Sequence, residues 1–231
     1  MPQKERNYFS GLGKDSKDMN IKVESLTKII KGTTVLENIS YEFTSGNIYG
    51  VVGKNGSGKT MLLRELAGLI HPTTGTVTVD GKQLHHDISF PPNLGLIIEK
   101  PEFISYLTGL ENLKLLAEVK HTVSEKNIRD LMTMFSLDPC SKQSIKKYSL
   151  GMKQKIGIIQ AIMENPDLLI LDERFSALDE DSVKLLRRLL LQYQQEGKLI
   201  IITSHHKEDI DSICSHILLL QDGKLVQKTE K

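Results

Sequence analysis

Gly53-Lys54-Asn55-Gly56-Ser57-Gly58-Lys59-Thr60 fits G-x-x-x-x-G-K-[ST] at every fixed position. The apolar run Ile48–Val52 precedes it and reads as a buried strand. Thr60–Ile70 follows, with Leu62, Leu63, Leu66, Leu69 and Ile70 on one helical face. A strand, a glycine-rich turn and an amphipathic helix in that order make a phosphate cradle. Glycines let successive backbone N–H groups curl around phosphate oxygens, and the helix N-terminus adds its partial positive charge at the same point. Gly53, Asn55, Gly56, Ser57, Gly58, Lys59 and Thr60 are therefore the expected nucleotide-binding residues. Lys59 brings a point charge to the terminal phosphates, and the Thr60 hydroxyl is suited to ligate Mg²⁺.

Downstream, Leu168-Leu169-Ile170-Leu171-Asp172-Glu173 supplies a second half to the site. A carboxylate closing a buried aliphatic strand is costly unless a cation meets it there, so Asp172 is expected to hold the metal. Glu173, one residue on, is placed to accept a proton from water attacking the terminal phosphate. Leu168–Leu171 and Leu199–Ile202 are aliphatic runs of the kind buried on both faces of a parallel sheet, with a helix carrying Val183, Leu186, Leu190 and Tyr193 between them.

Upstream, Ile21–Leu26 and Leu36–Phe43 alternate apolar and polar residues as half-buried strands do, and Thr76–Val79 before Asp80-Gly81 reads as another. The middle of the chain is helical. Thr108 and Glu111 form a capping-box pattern ahead of Leu110, Leu113, Leu116 and Ala117, Ser124–Phe135 carries Ile128, Leu131, Met132 and Phe135 on one stripe, and a further helix covers Gly151–Met163. The expectation is an α/β fold with a mostly parallel sheet, an antiparallel β part near the N-terminus and a helical insert over about residues 100–165. Residues 1–20 read as a polar, disordered tail and residues 21–231 as one domain.

Composition removes several function classes. The 231 residues carry 30 Lys and Arg against 29 Asp and Glu, a net charge of +1, which argues against a whole-surface nucleic-acid binder. No apolar run approaches the roughly 18 residues needed to cross a bilayer. Two cysteines, Cys140 and Cys214, are too few for a disulfide framework, and a cytoplasmic address is the simplest one. The adjacent pairs His85-His86 and His205-His206 lack further ligands at metal-binding spacing.

Between the two halves of the site lies Tyr148-Ser149-Leu150-Gly151-Met152-Lys153-Gln154-Lys155, with Gly151 standing 21 positions before Asp172. It resembles the L-S-G-G-Q signature of ATP-binding-cassette (ABC) ATPases, matching at Ser149 and Gly151 and departing at Tyr148, Leu150 and Met152. Ser176-Ala177-Leu178-Asp179 resembles the same family's D-loop, and Ile201-Ile202-Thr203-Ser204-His205 its switch strand. The resemblance extends over about residues 20–228 and implies a P-loop NTPase core of the ABC type. It further implies ATP and Mg²⁺ as ligands and a head-to-tail homodimer or paired cassette, in which Ser149 and Gly151 of one subunit face the phosphate held by Lys59 of the other. Asp179 would join the nucleotide site, and His205 would sense the γ-phosphate.

Three positions depart from the family. Glu99, in Leu96-Ile97-Ile98-Glu99-Lys100-Pro101, stands where the family has a metal-meeting glutamine. Ile30 replaces the aromatic residue that stacks on adenine. Arg174 replaces a proline after the catalytic glutamate, and an ion pair with Glu173 would lower its basicity. Together with Leu107-Thr108-Gly109 and the variant signature, the Glu99 segment resembles the ATPase subunits of bacitracin and lantibiotic exporters. That resemblance implies a separate integral membrane permease, a peripheral location on the inner face of the membrane, and an exported peptide or drug. Two alternatives stay open: a non-transport ABC ATPase of DNA repair or translation, disfavoured by the absence of a long coiled coil and of a second cassette, and a nucleotide-gated module with weak hydrolysis.

Overall fold

Ten strands and six helices order themselves around two sheets in a computed structural model that describes residues 18–175, 177–204 and 207–230. Strands β1 (Asn20–Ile30), β2 (Thr33–Thr44), β4 (Thr74–Val79) and β5 (Lys82–Gln83) make an antiparallel sheet in the order β2-β1-β4-β5. Strands β3 (Ile48–Val52), β6 (Leu94–Ile97), β7 (Leu168–Asp172), β8 (Leu199–Thr203), β9 (His216–Gln221) and β10 (Lys224–Glu230) make the second, in the order β10-β9-β3-β8-β7-β6. Only the β9–β10 hairpin in this second sheet is antiparallel.

The aliphatic runs explain why this sheet is central. Leu168 and Ile170 on β7, with Leu199 and Ile201 on β8, face a core shared with the antiparallel sheet and helix α1 (Lys59–Leu66). Leu169, Leu171, Ile200 and Ile202 face the opposite core, shared with the helices of the middle segment. Each of these side chains is fully buried. At roughly 1.5–3 kcal/mol per buried aliphatic side chain, two covered faces make a continuous aliphatic strand stable where alternation would not.

Between β6 and β7 run α2 (Gly109–Lys120), α3 (Glu125–Met134), a 3₁₀ turn (Ile145–Lys147) and α4 (Leu150–Ile162). The capping box at Thr108 forms as the sequence suggests: Glu111 N donates to Thr108 Oγ1, and Thr108 N donates back to Glu111 Oε2. After β7 come α5 (Glu180–Gln195) and, beyond β8, α6 (Lys207–Ile213). One helix is shorter than its periodicity suggests. α1 stops at Leu66 rather than running to Ile70, because Gly68 turns left-handed (φ 72°) and Leu69 emerges 47% exposed. The polar tail lies mostly outside the described residues. No described helix is long and apolar enough to cross a membrane, and neither Cys140 nor Cys214 forms a disulfide.

Candidate functional site

The glycine-rich loop leaves the C-terminal end of β3, between β8 and β9, and runs directly into α1. Ligand crevices of open α/β sheets form at this end of the strands. Gly58 caps α1 with φ 104°, and a Cβ there would stand 2.7 Å from the Val35 carbonyl, so no other residue fits. The Ser57 hydroxyl is buried without a hydrogen-bond partner in the protein, a donor placed for an oxygen-rich ligand. Lys59 is 5% exposed, and its Nζ folds back over the loop to donate to the carbonyls of Gly53 (2.9 Å) and Lys54 (3.1 Å). An ammonium has three donors, so one is left for an anion in the cradle.

Asp172 closes β7 at 4% exposure. A buried carboxylate needs donors, and two threonines supply them. Thr60 Oγ1 donates to Oδ2 at 2.8 Å, and Thr203 Oγ1 donates to Oδ1 at 2.6 Å. The first bond joins the phosphate loop to β7 across a strand, so Thr60 and Asp172 share one site although 112 positions separate them. Among the described residues no group of three or more His, Cys, Asp or Glu could hold a metal. A Mg²⁺ ion held here would take the Thr60 hydroxyl, the Asp172 carboxylate and phosphate oxygens among its donors, a set that ion accepts with triphosphates.

Glu173 carries a left-handed backbone (φ 55°), and its N–H is shared between Thr203 O (3.2 Å) and Thr203 Oγ1 (2.9 Å). Thr203 thus grips both acids of the site. Its sequence signal is the polar closure of an aliphatic strand next to another polar closure, a juxtaposition legible only once β7 and β8 are known to be neighbours in register (Asp172 opposite Thr203).

Glu99, also left-handed (φ 59°), extends to Arg64 of α1, with Oε1 2.5 Å from Nη2. Arg64 lies in the last turn of α1, one helical turn after Thr60. Ser149 caps α4 by accepting from Met152 N at 3.2 Å, and Leu150 is 64% exposed. A Cβ on Gly151 would meet the Ala177 carbonyl at 2.9 Å, so the signature turn packs on the D-loop segment. Asp179 caps α5 by accepting from Ser182 N (2.9 Å) and forms an ion pair with Lys155 of α4 (2.6 Å). These two partners, Lys155 first, hold its carboxyl well below the usual carboxylate range. The Lys155 side chain is only 10% exposed. His205 and Ser176 lie outside the described residues.

The arrangement can bind a polyphosphate, seat a divalent cation against Asp172 and present a carboxylate to a water beside it. Comparison with known proteins agrees with that chemistry. The family model described as ABC transporter matches residues 36–176. The uncharacterised ABC transporter ATP-binding protein YybJ of Bacillus subtilis is 51% identical over 205 residues, 89% of this chain and 94% of its own. The bacitracin transport ATP-binding protein BcrA of Enterococcus faecalis is 38% identical, across 90% of this chain and 68% of its own. The lantibiotic transport ATP-binding protein SrtF of Streptococcus pyogenes is 31% identical, across 91% and 90%. Among solved structures, the ATP-binding subunit of an ABC transporter superposes with a TM-score of 0.83 at 25% identity, covering 91% of this chain and 89% of that one. A dimeric bacterial ABC transporter cassette gives 0.79 at 23% identity over 91% and 98%, a likeness of fold alone. With one such relative sharing half its residues along nearly the whole chain, this protein belongs to the ABC transporter family as an ATP-binding subunit that hydrolyses ATP.

Proposed function

We propose that the chain is the motor subunit of an exporter, working through a separate membrane permease on the inner face of the cell membrane. The bond from Thr60 to Asp172 supports the motor part of this reading, because it joins the phosphate loop to the acidic strand end. Lys59 and the loop N–H groups hold the terminal phosphates of ATP. Thr60 and Asp172 would hold Mg²⁺, with Glu99 reaching it from the Arg64 side; the ion supplies charge neutralisation at the phosphate oxygens. Glu173 takes a proton from the attacking water, and His205 supports the γ-phosphate end.

Two copies would pair head to tail, Ser149 and Gly151 of one facing the phosphate bound by Lys59 of the other. The exposed Leu150 and the α4 N-terminus suit such a contact. The segment after Glu99 exposes Ile104 and Tyr106 (77%), apolar surface suited to a permease loop. Relatives named for bacitracin and lantibiotic transport support a peptide antibiotic as cargo. The test is affinity capture of the tagged chain from detergent-solubilised membranes. The expected result is a multi-span membrane protein in stoichiometric amount; ribosomes or DNA in its place would contradict the transport reading.

A further inference from the structure

Arg174 follows Glu173 directly and is 7% exposed. Taking a guanidinium out of water is costly unless its donors are used. Burial pulls its pKa below the ordinary arginine value, and the nearby charges of Asp172 and Glu173 pull it back up. The expected ion pair with Glu173 does not form: among the described residues Arg174 has no carboxylate within ion-pair distance. The left-handed turn at Glu173 redirects the chain between the two residues, and the guanidinium goes elsewhere. Its Nε donates to the Asp172 backbone carbonyl at 2.5 Å, and its Nη1 donates to Gln154 Oε1 at 3.3 Å. Gln154 Nε2 returns a bond to the Arg174 carbonyl at 3.1 Å. Gln154 is 6% exposed and sits in α4, the helix that Ser149 caps.

We propose that Arg174 is a positioning residue for Glu173, fastening the end of β7 to the signature helix α4 through a closed bracket with Gln154. A non-glycine residue in left-handed conformation is strained, and it persists only where its surroundings over-determine it. Glu173 meets that condition from both sides. Its own N–H is held by Thr203 of β8, the carbonyl before it by Arg174, and the carbonyl after it by Gln154. Without the bracket the backbone is free to relax, and the carboxylate leaves the line of the attacking water, where a displacement of about 1 Å costs up to about 100-fold in rate. The same bracket makes the strand end that carries Glu173 move as one body with the helix that starts at Ser149.

This inference rests on Glu173 acting as the base. Its test is steady-state phosphate release by the purified chain against ATP concentration. Arg174→Met and Gln154→Ala are each expected to lower kcat about tenfold while KM for ATP stays within about twofold, because neither touches the phosphate loop. The double variant is expected to lose no more than the weaker single, since both break one bracket. Arg174→Lys, which keeps one donor for the Asp172 carbonyl, is expected to recover part of the rate. Binding of a fluorescent ATP analogue reports that each variant is folded; if Arg174→Met fails to bind, Gln154→Ala alone carries the test. Wild-type kcat in either folded variant, or losses that multiply in the double variant, overturns the positioning role. Full turnover by Glu173→Gln would instead overturn the base assignment, so the two failures are distinguishable.

Discussion

Glu65 illustrates what one side chain can reveal apart from nucleotide chemistry. It sits in α1, 1% exposed, and neither carboxylate oxygen has a hydrogen-bond partner, with Lys28 Nζ of β1 4.0 Å away. Burial pushes its carboxyl up to about 7, against the pull of Lys28. Because the folded value lies above the unfolded one near 4.5, the native state binds the extra proton and stability falls as pH rises from about 4.5 to 7, then levels off. The loss across that window is of the order of 3 kcal/mol. Glu65→Gln should therefore melt several degrees above wild type at pH 8, with the gap shrinking toward pH 5. A gap that does not change with pH would show that the residue stays charged. Ile30, in the place where the family's base-stacking aromatic is expected, closes β1 38% exposed, opposite Thr33. An aliphatic side chain gives a base no ring to stack on, so ATP and GTP should be turned over within about threefold of each other. A strong preference for ATP, measured as kcat/KM, would place the base contact elsewhere.

The N-terminal end of α5 is tied to the middle of α4 by the ion pair of Asp179 with Lys155, and that junction can be tested separately from catalysis. Asp179→Ala removes an N-cap and an ion pair together and should cost about 1–2 kcal/mol in chemical denaturation. Asp179→Asn keeps the cap and should cost less; equal losses would mean that the ion pair carries the whole effect. Elements of this kind were readable in the sequence where the signal is local. Thr108 and Glu111 announce their capping box, and Leu168–Leu171 announces a strand buried on both faces. The end of α1 was not readable from periodicity, since Leu69 and Ile70 continue the apolar spacing while Gly68 ends the helix. Nor were the bonds that need two distant segments at once. Thr203 on Asp172, Gln154 on Arg174 and Lys155 on Asp179 each join residues whose proximity is set by the sheet order and the return of α4. Charge alone suggested that Arg174 would pair with its neighbour Glu173; hydrogen-bond direction decided otherwise.

At the scale of the molecule, the parallel sheet places the phosphate loop at the end of β3 and Asp172 at the end of β7, with β8 between them bringing Thr203. The two cores that sandwich this sheet make its end a rigid platform. The middle helices pack on one face of it, and Ser149 caps the first turn of α4 among them. In the proposed head-to-tail pairing, the glycine-rich loop of one copy and Ser149 of the other would complete one site. The central claim is that Glu173 drives hydrolysis at a site two copies complete. The most direct measurement is phosphate release by wild type and Glu173→Gln, with sedimentation of each in ATP and Mg²⁺. The account predicts that Glu173→Gln loses at least about 100-fold in turnover while binding ATP, and that it sediments as a dimer only with ATP present. Wild-type turnover by that variant, or a monomer at saturating ATP, would contradict it.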